Sequence, residues 1–82
     1  MEVKDAYRVT VVTTWLEESG KRTKTLVFVF DTEDEAKRTS KAEKSKIGPT
    51  MDRFGPSARI KCTIDKVQIL SVGCKSVVVH AL

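Results

Sequence analysis

The sequence has little of what marks metal-binding, disulfide-bonded or membrane-spanning proteins. Its 82 residues include two cysteines, one histidine, two prolines and 6% aromatic residues. The longest apolar runs are about five residues, far short of the roughly 20 that a membrane-spanning helix needs. The chain does not open with a charged segment followed by an apolar one, as a secretory signal does. We therefore expect no membrane contact and a cytoplasmic location.

Few residues could carry metal or catalytic chemistry, and they are far apart in the sequence. A metal site needs several clustered ligands, whereas His80 is the single histidine and Cys62 and Cys74 are well separated. If a hairpin turn lies near 71–73, the two cysteines are roughly 30 Å apart at about 3.3 Å per strand residue, so we expect free thiols. Cys62 and His80 could still contact each other if their strands are neighbours in the sheet. No nucleophile–base pair with an oxyanion-binding loop is evident, so we predict no catalytic residues, no cofactor and no metal.

Size and charge predict one small domain over residues 1–82. Hydrophobic residues at 40% and charged residues at 32% are typical of a globular chain. Fifteen basic against eleven acidic residues give a net charge of +4, a mild excess that does not by itself identify a nucleic-acid binder.

The most informative segment is LVFVF-DTEDEAKR at residues 26–38, where an apolar strand runs directly into a helix. Thr32 and Glu35 have the T-x-x-E spacing of a capping box. We predict a helix from about Glu33 to Ile47, followed by Gly48-Pro49 as a stop and an irregular segment to Ala58. Its inward stripe is thin in apolar area and consists of Ala36, Ser40, Glu43 and Ile47.

Alternating β-branched and apolar residues predict four strands, at about 7–16, 25–30, 59–70 and 75–82, with a polar hairpin turn at 17–24. The alternation shifts by one residue after Asp65-Lys66, which indicates a β-bulge or a sharp bend. The expected fold is α+β, a two-layer ββαββ arrangement with a four-stranded, mostly antiparallel sheet and one helix packed on one face.

In this arrangement one apolar face of the sheet is left without a covering element. The strands carry apolar residues on both faces, and one polar helix covers one face at most. Each large apolar side chain left in water forfeits roughly 1.5–3 kcal/mol. We therefore expect a non-enzymatic interaction module, homodimeric or docked on another protein through a sheet face or an edge strand. The expected partner-binding residues are Val12, Val27, Val29, Met51, Arg53, Phe54, Val78 and Leu82. Met51 and Phe54 could instead fold back over the sheet.

An alternative function is a basic nucleic-acid-binding accessory protein. Cations in the predicted hairpin turn and on the helix could contact phosphates if they share one surface. The size of the chain is also common among viral or mobile-element accessory proteins, an association that rests on length alone. The candidate nucleic-acid contacts are Lys21, Arg22, Lys24, Lys37, Lys41 and Lys44.

Overall fold

The computed structural model describes residues 2–72 and 75–81. Four strands and two helices follow one another in the order ββααββ. They are β1 (Glu2–Glu17), β2 (Gly20–Phe30), α1 (Glu33–Lys44), α2 (Ile47–Phe54), β3 (Arg59–Val72) and β4 (Lys75–Ala81).

The sheet is antiparallel throughout its described pairings, in the order β2-β1-β3-β4. Three long strands, β1 to β3, form the platform that carries the helices, and the shorter β4 extends it beside β3 from Val67 to Val72. The α+β class and the antiparallel pairing are therefore confirmed. The predicted combination of four strands and a single helix is not matched, because a second helix follows the first.

The first hairpin is tighter than expected. Its pairing runs without interruption from Tyr7 opposite Phe30 to Glu17 opposite Gly20, so residues 20–24 belong to β2 rather than to a turn. The turn itself is only Glu18 and Ser19. Gly20, with φ of 121°, supplies the backbone conformation that other residues rarely adopt. Polarity misled the prediction here, because an exposed strand end tolerates lysine and arginine as readily as a loop does.

Helix α1 begins where the capping signal placed it. The Thr32 hydroxyl accepts a hydrogen bond from the Glu35 backbone N–H at 3.4 Å, the first half of the capping box. The reciprocal bond from Thr32 N–H to the Glu35 carboxylate is absent among the described residues. Within α1 the inward stripe is confirmed, since Ala36 and Ser40 are buried and Glu43 is half-buried. The predicted end of the helix at Ile47 is wrong, because α1 ends at Lys44 and Ile47 begins α2.

The expected irregular segment after Gly48-Pro49 is wrong, because residues 47–54 form α2. Pro49 lies in the first helical turn, where its missing N–H would have had no partner anyway, so it does not stop the helix. Both the backbone N–H and the hydroxyl of Thr50 donate to the Lys46 carbonyl, at 3.0 and 2.7 Å. The chain turns away only at Gly55, with φ of 100°.

The core has two clusters on opposite faces of the sheet. Val9, Val11 and Ala36 form the cluster under α1, with Phe28, Phe30 and Cys62 among the half-buried side chains around it. The second cluster, Ala6, Val67 and Ile69, lies on the opposite face at the β4 end of the sheet.

The second cluster explains the shift in alternation along β3. The β1–β3 register is continuous through Asp65-Lys66, so the bulge expected there is wrong. Burial changes face instead: Cys62 packs toward the helix side, whereas Val67 and Ile69 are buried on the other side. The irregularity that does occur lies between Gln68 and Ile69, in the pairing with β4.

Candidate functional site

The sheet face opposite the helices is more hydrophilic than the sequence suggested. Cross-strand register puts Thr10 beside Thr63, and Arg8 beside Asp65. Arg8 and Asp65 form an ion pair at 3.2 Å across the two central strands. The expected broad apolar patch on this face is therefore interrupted by threonines and charges supplied by β1 and β3.

Three of the six exposed large apolar side chains among the described residues lie on the outer strand β2; the others are Val3 and Leu16 of β1 and Ile64 of β3. Val27 is 56% exposed and Val29 43% exposed on the open face, where Val12 of β1 is half-buried beside them. Leu26, on the helix side of the same strand, is 40% exposed. Among the described strands β2 pairs with β1 alone, so its other side is an edge of the described sheet. We call residues 25–30 (TLVFVF), seen from that side, the β2 edge.

The partner-binding candidates on α2 belong to a different surface. Phe54 stacks on Trp15 with ring centroids 4.1 Å apart and an interplanar angle of 24°, and Met51 is half-buried. The Phe54 side chain folds back toward the helix-covered face, as the alternative interpretation expected. Arg53 lies over the Phe54 ring, with its guanidinium carbon 5.2 Å from the ring centroid. Leu82 and the side chain of Val78 lie outside the described residues.

The tip of the first hairpin is held by a network centred on Glu17. Its carboxylate accepts a hydrogen bond from the Trp15 indole at 3.0 Å and another from Arg22 at 3.1 Å. These two hydrogen bonds hold the pKa of Glu17 below its ordinary value of 4.5, and the bond from the indole has the larger effect. Arg22 also donates to the Ser19 hydroxyl at 3.2 Å. The network orients the same indole on which Phe54 stacks.

A cavity of about 290 Å³ lies between the helices and the sheet, next to Thr13. We call it the Thr13 groove. Thr13 lines it from the sheet, Glu43 from α1, and Pro49 and Thr50 from α2. Its apolar lining comes from Val11, Leu26, Ile60 and Phe54, and its charged lining from Lys24, Glu43, Lys46 and Arg53.

The six candidate nucleic-acid contacts do not form one free basic surface. Arg22 is bonded to Glu17, and Lys37 pairs with Glu33 at 2.8 Å. The hydrogen bond from Lys37 and its positive charge lower the pKa of Glu33. The same hydrogen bond and the negative charge of Glu33 raise the pKa of Lys37. The others have no salt bridge with a described residue; they are Lys21 and Lys24 on the hairpin and Lys41 and Lys44 on α1.

Cys62 on β3 and His80 on β4 lie far apart in the sheet. Cys62 is a half-buried free thiol opposite Val11, whereas His80 pairs with Gln68, roughly 20 Å away at about 3.3 Å per residue. Cys74 lies outside the described residues. Within residues 2–72 and 75–81, no three metal-ligating side chains come together, and no described helix is long and apolar enough to cross a membrane.

Sequence reasoning missed two features of these surfaces. The first is the groove lined by Thr13, Glu43 and Lys46. Predicting it required the second helix, whereas Gly48-Pro49 in the sequence indicates a helix stop instead. The β2 edge depended on strand order, which alternation of apolar residues does not encode. The unbroken apolar run at 26–30 was the available signal, but it indicates equally a central strand buried on both faces.

The chain matches no protein-family model, and no curated protein or solved structure is significantly similar to it.

Proposed function

We propose that this protein is a small non-enzymatic interaction module that forms a homodimer through the β2 edge. The observation that supports this most directly is the exposure of apolar side chains on both sides of one outer strand: Leu26 on the helix side, Val27 and Val29 on the open side. Natural sheets usually guard an edge with charge, proline or a bulge. Residues 25–30 contain none of these.

Backbone chemistry favours a second strand at this edge. The side of β2 that faces away from β1 presents N–H and C=O groups for which the described residues offer no sheet partner. A strand added there would satisfy these groups and cover the exposed valines at the same time.

Charge at the two ends of β2 favours antiparallel pairing with a second copy. Residues 21–24 (KRTK) begin the strand and residues 31–35 (DTEDE) follow it. A two-fold axis near Val27 would bring the basic end of one copy toward the acidic end of the other, whereas parallel pairing would align like charges. This complementarity is why we propose a second copy rather than an unrelated protein.

The test is the mass in solution of the wild type, Val27→Lys and Thr63→Lys, measured by sedimentation over a hundredfold range of concentration. Near the two-fold axis two Val27→Lys side chains would face one another, so this variant should be monomeric where the wild type is dimeric. Thr63→Lys places the same charge in the centre of the open face and should remain dimeric. Circular dichroism checks that both variants fold.

A wild type that stays monomeric at the highest concentration overturns the proposal, and so does a dimer that survives Val27→Lys. Loss of the dimer only in Thr63→Lys would mean that the open faces pack on each other instead. Amide hydrogen exchange gives a second readout: backbone amides of residues 25–30 should become more protected as concentration rises.

A second candidate is nucleic-acid binding through the lysines without an acidic partner, Lys21, Lys24, Lys41 and Lys44. Their positive charge is available for phosphate contacts. A titration with single-stranded and duplex oligonucleotides should then show affinity that falls steeply with salt, whereas absence of binding at low salt would exclude it.

A further inference from the structure

The Thr13 groove combines an apolar interior with two cations that make no salt bridge to a described residue. Val11, Leu26 and Ile60 contribute aliphatic side chains, and Phe54 contributes an aromatic ring. Small-molecule sites likewise combine apolar lining with a few polar groups. The volume of about 290 Å³ is at the small end of the range for such sites.

The charges around the groove are unbalanced. Lys46 bonds to the Glu43 carboxylate at 2.9 Å, so these two largely compensate each other. Lys24 from β2 and Arg53 from α2 also line the groove, and neither makes a salt bridge with another described residue. Two cations supplied by different elements beside an apolar space attract a ligand that carries negative charge on an apolar body.

We propose that the Thr13 groove binds a small amphipathic organic anion, a carboxylate or phosphate attached to an apolar body. The whole ligand has roughly ten non-hydrogen atoms, at ~30 Å³ for each water-sized group. The anionic group bonds to Lys24 and Arg53, and the apolar body contacts Leu26, Ile60 and Phe54. This proposal does not rest on the homodimer, because every residue that lines the groove belongs to one copy of the chain. Lys24 and Leu26 lie on the helix side of β2, whereas Val27, at the centre of the proposed dimer contact, lies on the opposite face of the sheet.

The test is direct titration with octanoate and with phenyl phosphate, in which calorimetry and Trp15 fluorescence measure the binding. Trp15 is the single tryptophan and stacks on Phe54, so a ligand in the groove should change its emission. We expect saturable binding that weakens with salt. The uncharged analogue 1-octanol should bind at least about tenfold more weakly, because it cannot make a charge-assisted hydrogen bond to Lys24 or Arg53.

Three variants locate the site. Lys24→Gln and Arg53→Gln should each weaken octanoate binding by about fivefold or more, and Thr13→Leu should abolish it by filling the groove. Lys41→Gln, which removes an exposed cation outside the groove, is the matched control and should bind like the wild type. Repeating the titration in Val27→Lys separates this proposal from the dimer, since binding should persist in that variant.

Equal affinity for octanoate and octanol would overturn the proposal, as would equal losses in Lys24→Gln and Lys41→Gln. Binding of an oligonucleotide without any saturable binding of octanoate or phenyl phosphate would also overturn it, and would favour nucleic acid at these cations. Unfolding midpoints of the variants distinguish a lost site from a lost fold.

Discussion

The Trp15 indole and the Phe54 ring stack face to face with centroids 4.1 Å apart, and this contact joins the far end of the first hairpin to the second helix. A further link lies beside it, where the Leu16 backbone N–H donates to the Ser57 hydroxyl at 3.1 Å. Helix α2 has no fully buried residue. We therefore infer that the stacked pair is the principal anchor of α2, and through α2 of one wall of the Thr13 groove.

Replacing Phe54 by alanine should loosen α2 more than the rest of the fold. Partial burial of the ring together with aromatic stacking suggests a loss of about 2 kcal/mol in the free energy of unfolding, measured by urea denaturation. Trp15 emission should shift to longer wavelength in the folded state. Asp52→Ala, on the exposed side of the same helix, should change stability by less than about 0.5 kcal/mol. Equal effects of the two substitutions would contradict this role for Phe54.

The contact between α1 and the sheet should be intolerant of added volume. Ala36 is fully buried and packs with Val9 and Val11. Ala36→Leu would force the helix away from these valines and should lower the free energy of unfolding by about 1–3 kcal/mol. Ala42→Leu makes the same change on the exposed side of α1 and should be nearly neutral. A stable Ala36→Leu variant would mean that α1 is not closely packed on the sheet.

These two helices show where prediction from the sequence succeeds and where it fails. The stripe containing Ala36 and Ser40 was predicted because helical period and polarity agree over residues 33–44. Helix α2 was missed because glycine and proline in its first turn signal a helix end in one context and a helix start in another. Alternation similarly paired Val27 with Val29 on one face, but it could not reveal that β2 is the outer strand. Strand order arises from long-range pairing, which no local pattern records.

The start of α1 should depend on the hydroxyl of Thr32. This side chain accepts the Glu35 N–H, one of the four amides that a helix start leaves without an intrahelical partner. Thr32→Ala should therefore lower the free energy of unfolding by about 1 kcal/mol, whereas Thr32→Asn keeps an acceptor and should retain stability. Chemical denaturation of both variants measures the difference. If asparagine and alanine were equally destabilising, the cap would not be the cause.

The hairpin network should make stability depend on pH below the ordinary pKa of glutamate. The pKa of Glu17 is lowered by hydrogen bonds from Trp15 and Arg22, so the folded protein holds this carboxylate deprotonated to lower pH than the unfolded chain does. The stabilisation is complete above the unfolded pKa and is lost as pH falls through the lowered folded pKa. Glu17→Gln should therefore lower the unfolding temperature at pH 7, and its difference from the wild type should shrink as pH falls below 4.5.

The matched control for this dependence is Glu18→Gln, at the neighbouring turn position, where the carboxylate makes no salt bridge or side-chain hydrogen bond with a described residue. It should leave the pH profile of the unfolding temperature close to that of the wild type. Trp15 emission provides an independent measurement, because protonation of Glu17 weakens the acceptor of the indole N–H. A Glu17→Gln difference that stays constant from pH 7 to pH 3 would show that the carboxylate charge does not stabilise the hairpin, and that the indole is positioned by its stacking on Phe54 alone.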